Sequence, residues 1–144
     1  MRGLERIVPS QGLPGGEPSV RGRSISELVG QLSRLGSRGT LDEQPDLELE
    51  DLRQAVQWEI LLGEMRRGKR PLTVEYWSDE GWIVGRLREV PSVLTQGETV
   101  AEFLVNVRDA YDLVCADLGD APEREVHGNP FALPAQPWTL EIRL

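Results

Sequence analysis

The apolar positions between residues 72 and 97 follow the alternating pattern of β-strands. Residues 72–77 and 82–90 are rich in β-branched and aromatic residues, and residues 92–95 are long enough for a short third strand. The polar run at 78–81 ends in glycine, which is typical of a hairpin turn. Apolar and polar residues mix on both faces of the second strand, so the pattern leaves open which face is buried.

The apolar residues between 100 and 118 recur every three or four positions, which is the period of a helix. Glu98 or Thr99 can cap this helix, and Glu102 lies at the capping-box spacing after Thr99. The stripe that we expect to be buried consists of Val100, Phe103, Leu104, Val107, Ala110, Tyr111 and Val114. Residues 138–144 alternate again and predict a last strand, which gives a helix packed on a small antiparallel sheet.

The first half of the chain predicts three helices. The first begins near Ile25, with a serine on either side that can cap it, and Gly36 ends it. A helical turn at 40–44 follows, capped by its first residue, and Pro45 separates it from a long helix. The apolar stripe of that long helix is wide, so we expect it to pack against more than one neighbour.

These elements divide the chain into three parts. Residues 1–20 are rich in glycine and proline, and we expect them to form a flexible arm. We assign residues 21–69 to a helical, helix-turn-helix-like domain and residues 70–144 to a domain with the order β-β-β-α-β, so the fold class is α+β. The glycine- and proline-rich stretch at 119–136 is expected to be a loop.

Charge is distributed unevenly between the two halves. Residues 1–70 contain eleven Lys and Arg and eleven Asp and Glu, whereas residues 71–144 contain five and thirteen, so the formal net charge of −8 resides in the second half. An acidic surface repels phosphate and suits a basic partner, such as a protein that processes nucleic acid. The same charge also fits a surface that only keeps the protein in solution.

Composition narrows the class of protein further. Hydrophobic residues make up 39% of the chain, enough for a modest core, and no apolar run approaches the roughly 20 residues of a membrane span. The N-terminus lacks the apolar segment of a secretory signal. The single cysteine, Cys115, excludes an intrachain disulfide and a cysteine zinc cluster, so we expect the reducing cytoplasm as the location.

Part of the second half resembles the HicB antitoxin family. The match is most specific at 95–113, where the family pattern places a glycine, an acidic residue and a threonine before a helix. The matching residues are Gly97, Glu98, Thr99, Glu102, Leu104, Asn106, Val107, Arg108 and Ala110. Phe103 stands where alanine is usual, and Pro91-Ser92-Val93 replaces the family's Pro-Gly-Cys turn. The resemblance implies a partial RNase H-like domain that binds and blocks a toxin without catalysis.

The helical half is similar to a small domain of VapB-type antitoxins. The residues that match its two motifs are Gly16, Pro18, Gly22, Ile25, Pro45, Leu47, Asp51, Leu52 and Ala55. Arg23-Ser24 replaces the threonine and arginine of the first motif, and Gln44 replaces a tyrosine. The spacer between the motifs is about three residues short. This resemblance implies a winged or simple helix-turn-helix fold that is often paired genetically with a PIN-like ribonuclease.

The sequence offers little for catalysis. His127 is the single histidine, so a zinc site would lack a second one. G-x-S-x-G and phosphate-loop motifs are missing. The acids of the predicted turn, Asp79 and Glu80, do not converge with those of the helix as the metal-binding carboxylates of a nuclease would. We therefore expect no enzyme, no metal and no cofactor.

Two sets of residues are candidates for binding. The first is basic and would contact DNA phosphates if its members converge, or form solvated helix ends if they do not. It consists of Arg21, Arg23, Arg34, Arg38, Arg66, Arg67, Lys69 and Arg70. The second surrounds the predicted hairpin turn and would anchor a protein partner, although its tryptophans also suit core packing. It consists of Trp77, Asp79, Glu80 and Trp82.

The resemblances and the charge distribution together predict a cytoplasmic antitoxin of a prokaryotic type II toxin–antitoxin pair. It would neutralise a HicA-like or PIN-like ribonuclease by occlusion, bind operator DNA, and form a homo-oligomer such as a dimer. The alternative is a non-catalytic protein-binding accessory module of a larger assembly. A DNA-binding regulator without a toxin is a third class, and its affinity would fall steeply with salt.

Overall fold

The computed structural model describes residues 4–9, 18–118 and 137–144. Its helices are α1 (Ile25–Glu43), α2 (Leu49–Glu64) and α3 (Val100–Leu118). Its strands are β1 (Ser19–Val20), β2 (Arg23–Ser24), β3 (Pro71–Asp79), β4 (Trp82–Leu87), β5 (Leu94–Gly97) and β6 (Trp138–Arg143). The predicted α+β class is confirmed, and the second half has the predicted order β-β-β-α-β.

The main sheet has the strand order β5-β4-β3-β6, and all its neighbours are antiparallel. Tyr76 on β3 lies opposite Gly85 on β4 and Trp138 on β6. Its ring is 5.9 Å from that of Phe103 on α3, between centroids, so this side of the sheet faces the helix. The inner face, defined as the side that α3 covers, buries Leu72, Val74, Tyr76, Ile83, Leu87, Leu140 and Ile142. The structure thus decides which face of the second predicted strand is core.

Residues of the HicB-like pattern join β5 to α3. The Glu102 backbone N–H donates to Thr99 Oγ1 at 3.1 Å, so Thr99 caps the helix. Asn106 Nδ2 donates to the Gln96 carbonyl at 2.8 Å and satisfies a backbone group on the edge strand. A Cβ atom at Gly97 would lie 2.5 Å from the backbone nitrogen of Phe103, so only glycine fits there. In this protein Gly97, Thr99 and Asn106 therefore have a structural role, since they stabilise the connection between β5 and α3.

The helical half contains a sharp break within α1. Gly36 has φ 71° and ψ 177°, which interrupts the helix and divides it into two segments. Gln31 Nε2 donates to Glu43 at 2.7 Å, and twelve residues of straight helix would separate these groups by about 18 Å, so the second segment folds back on the first. The predicted stop at Gly36 is therefore a turn inside α1. Thr40 is not a cap, because its buried hydroxyl donates to the Gly36 carbonyl at 2.8 Å.

The N-terminal segment lies against the helices where the structure describes it. Leu4, Ile7 and Val20 are buried, although we expected residues 1–20 to form a flexible arm. The Arg6 backbone N–H donates to Gln54 Oε1 on α2 at 2.9 Å. These apolar residues belong to one buried cluster that also includes the inner face of the sheet.

The end of α2 is connected to the last strand by backbone hydrogen bonds. The Arg143 N–H donates to the Met65 carbonyl at 2.8 Å, and the Gly68 N–H donates to the Arg143 carbonyl at 3.1 Å. Met65 is fully buried at this point. The segment after α2 therefore covers part of the free edge of β6.

Candidate protein-binding surface

One of the basic candidates, Arg21, holds the helical half together. Its Nε donates to Asp51 Oδ2 at 2.8 Å, and Arg6 Nη1 donates to Asp51 Oδ1 at 3.0 Å. The Asp51 side chain has no exposed surface and also accepts the Glu48 N–H at 2.7 Å, which caps α2. Burial acts to raise the pKa of Asp51, but the hydrogen bonds from Glu48, Arg6 and Arg21 outweigh it and hold the pKa below its ordinary value.

Arg23 is also engaged within the chain. Its two terminal nitrogens donate to the two Asp46 carboxylate oxygens, each at 2.8 Å, and this hydrogen bonding lowers the pKa of Asp46. Arg21 and Arg23 lie at the N-terminal end of α2, whereas residues 66–70 follow its C-terminal end. A helix of 16 residues is about 24 Å long, so the structure does not bring these two groups into one patch.

The other basic candidates are distributed over the surface. Arg34 and Arg38 are exposed on either side of the break in α1, and Arg67 and Lys69 are exposed after α2. Arg66 Nε donates to the Glu141 carbonyl at 3.0 Å, and Arg70 Nη1 donates to the Tyr111 hydroxyl at 3.4 Å; these two contacts bind the 66–70 segment to β6 and α3.

The side of the main sheet opposite α3 is here called the outer face. Among the described elements, α3 is the helix in extensive contact with the sheet, through β4 and β5. The alternation of side chains and the strand register define the outer face. Its residues are Thr73, Glu75, Trp77, Asp79, Trp82, Val84, Arg86, Leu94, Gln96, Thr139, Glu141 and Arg143.

The β3–β4 hairpin ends in a two-residue turn. Glu80 and Gly81 both have positive φ, 48° and 85°, which is the geometry of a type I′ turn. The predicted turn is therefore present, and it exposes the carboxylates of Asp79 and Glu80 at its tip. Trp82 lies opposite Asp79 and is 40% exposed.

The two tryptophans of the hairpin lie on the outer face as diagonal neighbours. Trp77 is opposite Val84, and Asp79 is opposite Trp82. These two residue pairs are neighbours on the outer face. Trp77 is half-buried. All four predicted partner-binding residues are therefore gathered at one end of the sheet, around the turn.

A charged cluster lies at the centre of the outer face. Glu75 is buried, and its Oε1 is 3.3 Å from Arg88 Nε and 3.8 Å from Arg86 Nη2. Arg86 Nε is buried and finds no hydrogen-bond partner among the described residues. Glu75, Arg86 and Arg88 were not among the predicted binding residues, although alternation from Trp77 and Trp82 places them on the same face.

A surface pocket of about 610 Å³ lies where β3 and β6 meet the segment after α2. It is lined by Arg66, Pro71, Leu72, Thr73, Glu89, Glu141, Ile142 and Arg143. Glu89 accepts the Thr73 N–H at 2.7 Å and so supports the backbone at the pocket wall. Within the described ranges, no three His, Cys, Asp or Glu side chains are arranged to hold a metal ion. His127 lies outside the described residues.

Comparison with known proteins adds no relative. No protein-family model matches the chain, and no curated protein is significantly similar to it. The resemblances to HicB and VapB-type antitoxins therefore stay predictions. In the part of the chain that the structure describes, none of the helices is long and apolar enough to cross a bilayer.

Proposed function

We propose that this protein is a non-catalytic, antitoxin-like protein that binds a basic ribonuclease through its outer face and blocks the RNA-binding surface of that enzyme. The observation that carries the proposal is the outer face itself. It is a sheet surface without a packed helix among the described elements, on which two tryptophans lie beside two exposed acids.

The residue types of the outer face support a protein partner. Tryptophan and arginine are the residues most enriched among those that dominate binding energy, and they act best where the partner excludes water. Trp77 and Trp82 provide apolar area at the hairpin end.

The charge of this region supports a basic partner. Asp79 and Glu80 make the hairpin tip acidic, whereas the rest of the outer face is balanced, with Glu75 and Glu141 against Arg86 and Arg143. A ribonuclease must present cations to the RNA phosphates, so the acidic hairpin tip can occupy part of the same site. Charge complementarity would also speed the encounter between the two proteins.

The fold is compatible with the two resemblances. The order β-β-β-α-β with one helix on one face agrees with the partial RNase H-like arrangement that the HicB resemblance implies. The break at Gly36 divides the helical half into three helical segments, which is compatible with a helix-turn-helix-like unit.

We do not extend the proposal to operator DNA. Arg21 and Arg23 are engaged with carboxylates of α2, and phosphates would have to compete with them. The acids Glu50, Glu59 and Glu64 lie on α2, whereas Arg53, the one basic residue of that helix, binds Glu50. A helix of this composition is poorly suited to bind DNA, because DNA is a polyanion.

The proposal is tested by isolating the partner. The tagged full chain is expressed in its native host with its neighbouring genes, and captured proteins are identified by mass spectrometry. We expect a stoichiometric small basic ribonuclease whose RNA cleavage is blocked when the chain is added back. A ribonuclease that stays active in the complex would reject occlusion. Capture of a multi-subunit assembly without a ribonuclease would instead support the accessory-module alternative.

A further inference from the structure

Helix α2 is apolar on two opposite sides. One side is buried in the core and includes Leu52, Ala55, Trp58 and Leu62. On the other side, Leu49 is 62% exposed and Ile60 is 59% exposed. A surface helix normally has one apolar stripe, so the second stripe indicates a further neighbour.

The apolar residues outside the buried side lie in one line along the helix, with Val56 half-buried between the exposed Leu49 and Ile60. At about 100° per residue, Leu49, Val56, Ile60 and Gly63 fall within a stripe of roughly 60°. Among the described elements, the one in extensive contact with α2 is α1, which packs near Glu59 at one side of this stripe. Within the described residues, Leu49 and Ile60 stay largely uncovered, whereas Val56 between them is half-buried.

We propose that this stripe is the contact between two copies of the chain, whose α2 helices pack antiparallel about a two-fold axis at Val56. Leu49 and Gly63 lie seven residues, or about two turns, on either side of Val56. The two-fold axis therefore places Leu49 of each copy against Gly63 of the other. Open space surrounds Gly63, since a Cβ atom there would meet nothing within 4 Å, and this leaves room for the leucine.

The charges beside the stripe favour a second copy over an unrelated partner. Arg53 binds Glu50 of its own helix at 2.8 Å, and Glu64 lies on the same side of the stripe. An antiparallel two-fold pair brings matching sides together, so Arg53 of one copy approaches Glu64 of the other. The same surface thus supplies the projecting Leu49 and the open space at Gly63 that receives it. It also supplies a cation, Arg53, and an anion, Glu64.

The size of the contact predicts a weak dimer. Two helices about 24 Å long form an interface at the low end of the range for specific complexes. We therefore expect a dissociation constant in the micromolar range, with monomer and dimer in exchange. This inference concerns the helical half and does not depend on the proposed function of the outer face.

Sedimentation velocity on the full chain, over a series of concentrations, tests the contact. The wild type should dimerise, and Ile60→Glu should raise the dissociation constant about tenfold or more, as loss of an interface anchor does. Leu113→Glu, at an exposed leucine of α3, is the matched control and should leave it unchanged. A wild type that stays monomeric at every concentration, or a dimer that Ile60→Glu leaves intact, would overturn the proposal.

A second variant removes doubt about folding. Gly63→Gln fills the open space with a better helix former, so the protomer should be at least as stable as the wild type while the dimer weakens. A dimer as tight as that of the wild type would reject the packing of Leu49 against Gly63.

Disulfide trapping tests the direction of packing. In a Cys115→Ser background, chains with Leu49→Cys and chains with Gly63→Cys are mixed and oxidised. Antiparallel packing should give the mixed disulfide dimer in preference to either homodimer. Preferential homodimers of both variants would indicate parallel helices, and no trapped dimer would also contradict the proposal.

Discussion

The ring of Phe103 occupies the space that a side chain at residue 85 would need. A Cβ atom built on Gly85 would lie 2.4 Å from the Glu75 carbonyl oxygen, 2.5 Å from Phe103 Cζ and 2.8 Å from Tyr76 Cβ. Phe103 stands where the HicB-like pattern has alanine. In this protein the missing side chain at Gly85 leaves the space that the larger phenylalanine ring fills.

Gly85→Ala should therefore destabilise the fold by about 1–3 kcal/mol, because the added methyl would meet both the ring of Phe103 and the backbone carbonyl of Glu75. Phe103→Ala should cost about 3–5 kcal/mol by leaving a cavity. In the double variant the loss of unfolding free energy should be smaller than the sum of the two single losses, since the alanine at 85 no longer meets the ring, although its clash with the Glu75 carbonyl remains. Urea denaturation of the four proteins measures this. Gly30→Ala, on α1 with open space around it, is the control and should not destabilise.

Asp51→Asn should destabilise the helical half by about 1–2 kcal/mol at neutral pH, because the cap of α2 and the charge that binds Arg6 and Arg21 are weakened. The pKa of Asp51 is lowered from 3.8 in the folded protein, so its stabilisation is complete above that value. The contribution is lost as the pH falls through the lower folded pKa.

The difference in unfolding free energy between the wild type and Asp51→Asn should thus be constant from about pH 5 to 7 and shrink below about pH 4. Denaturation curves at several pH values measure it. A difference that grows on acidification would contradict the lowered pKa.

Glu80→Asn should stabilise the protein by about 0.5–1 kcal/mol. Glu80 has a φ of 48°, and asparagine followed by glycine is the preferred sequence of a type I′ turn. The same variant removes a charge from the hairpin tip, so it should slow association with the basic partner at low salt and lose this effect at high salt. Asp109→Asn, at an exposed acid of α3, serves as the comparison; an equal slowing there would mean that overall charge is responsible.

Trp82→Ser should weaken binding of the ribonuclease by about 2 kcal/mol or more, the loss typical of a central aromatic anchor. Its unfolding free energy should fall by about 1–2 kcal/mol, because the residue is only 40% exposed and the rest of its area is buried. Calorimetric titration measures the affinity. Leu113→Ser is the control, since Leu113 is 69% exposed on the helix and away from the outer face. Equal affinities of Trp82→Ser and wild type would place the partner elsewhere.

Local pattern was sufficient to predict most of the elements. In the second half, the alternation on either side of the turn predicts the strands of the hairpin. The helical period that begins at Val100 predicts α3. Gly36 was predicted to end a helix, and it does interrupt α1 because only glycine adopts its positive φ at low cost. Element ends differ by a few residues, as for β4, which ends at Leu87, whereas its strand pattern extends to residue 90.

The predicted binding sets had different outcomes for a physical reason. The four residues around the turn were found together because a hairpin brings near neighbours in sequence into contact. The basic set was not gathered, because the carboxylates that engage Arg21 and Arg23 lie more than twenty residues away in the chain. No local pattern relates residues at that distance.

The sequence by itself determined the class of the fold, the order of the elements in the second half and the position of the acidic hairpin tip, since these depend on periodicity and turn residues close together in the chain. Only the tertiary structure decided which face of β4 is core, that Leu4 and Ile7 are buried, and that α2 keeps a second apolar stripe exposed. Burial depends on what packs against each surface, and those neighbours come from distant parts of the chain.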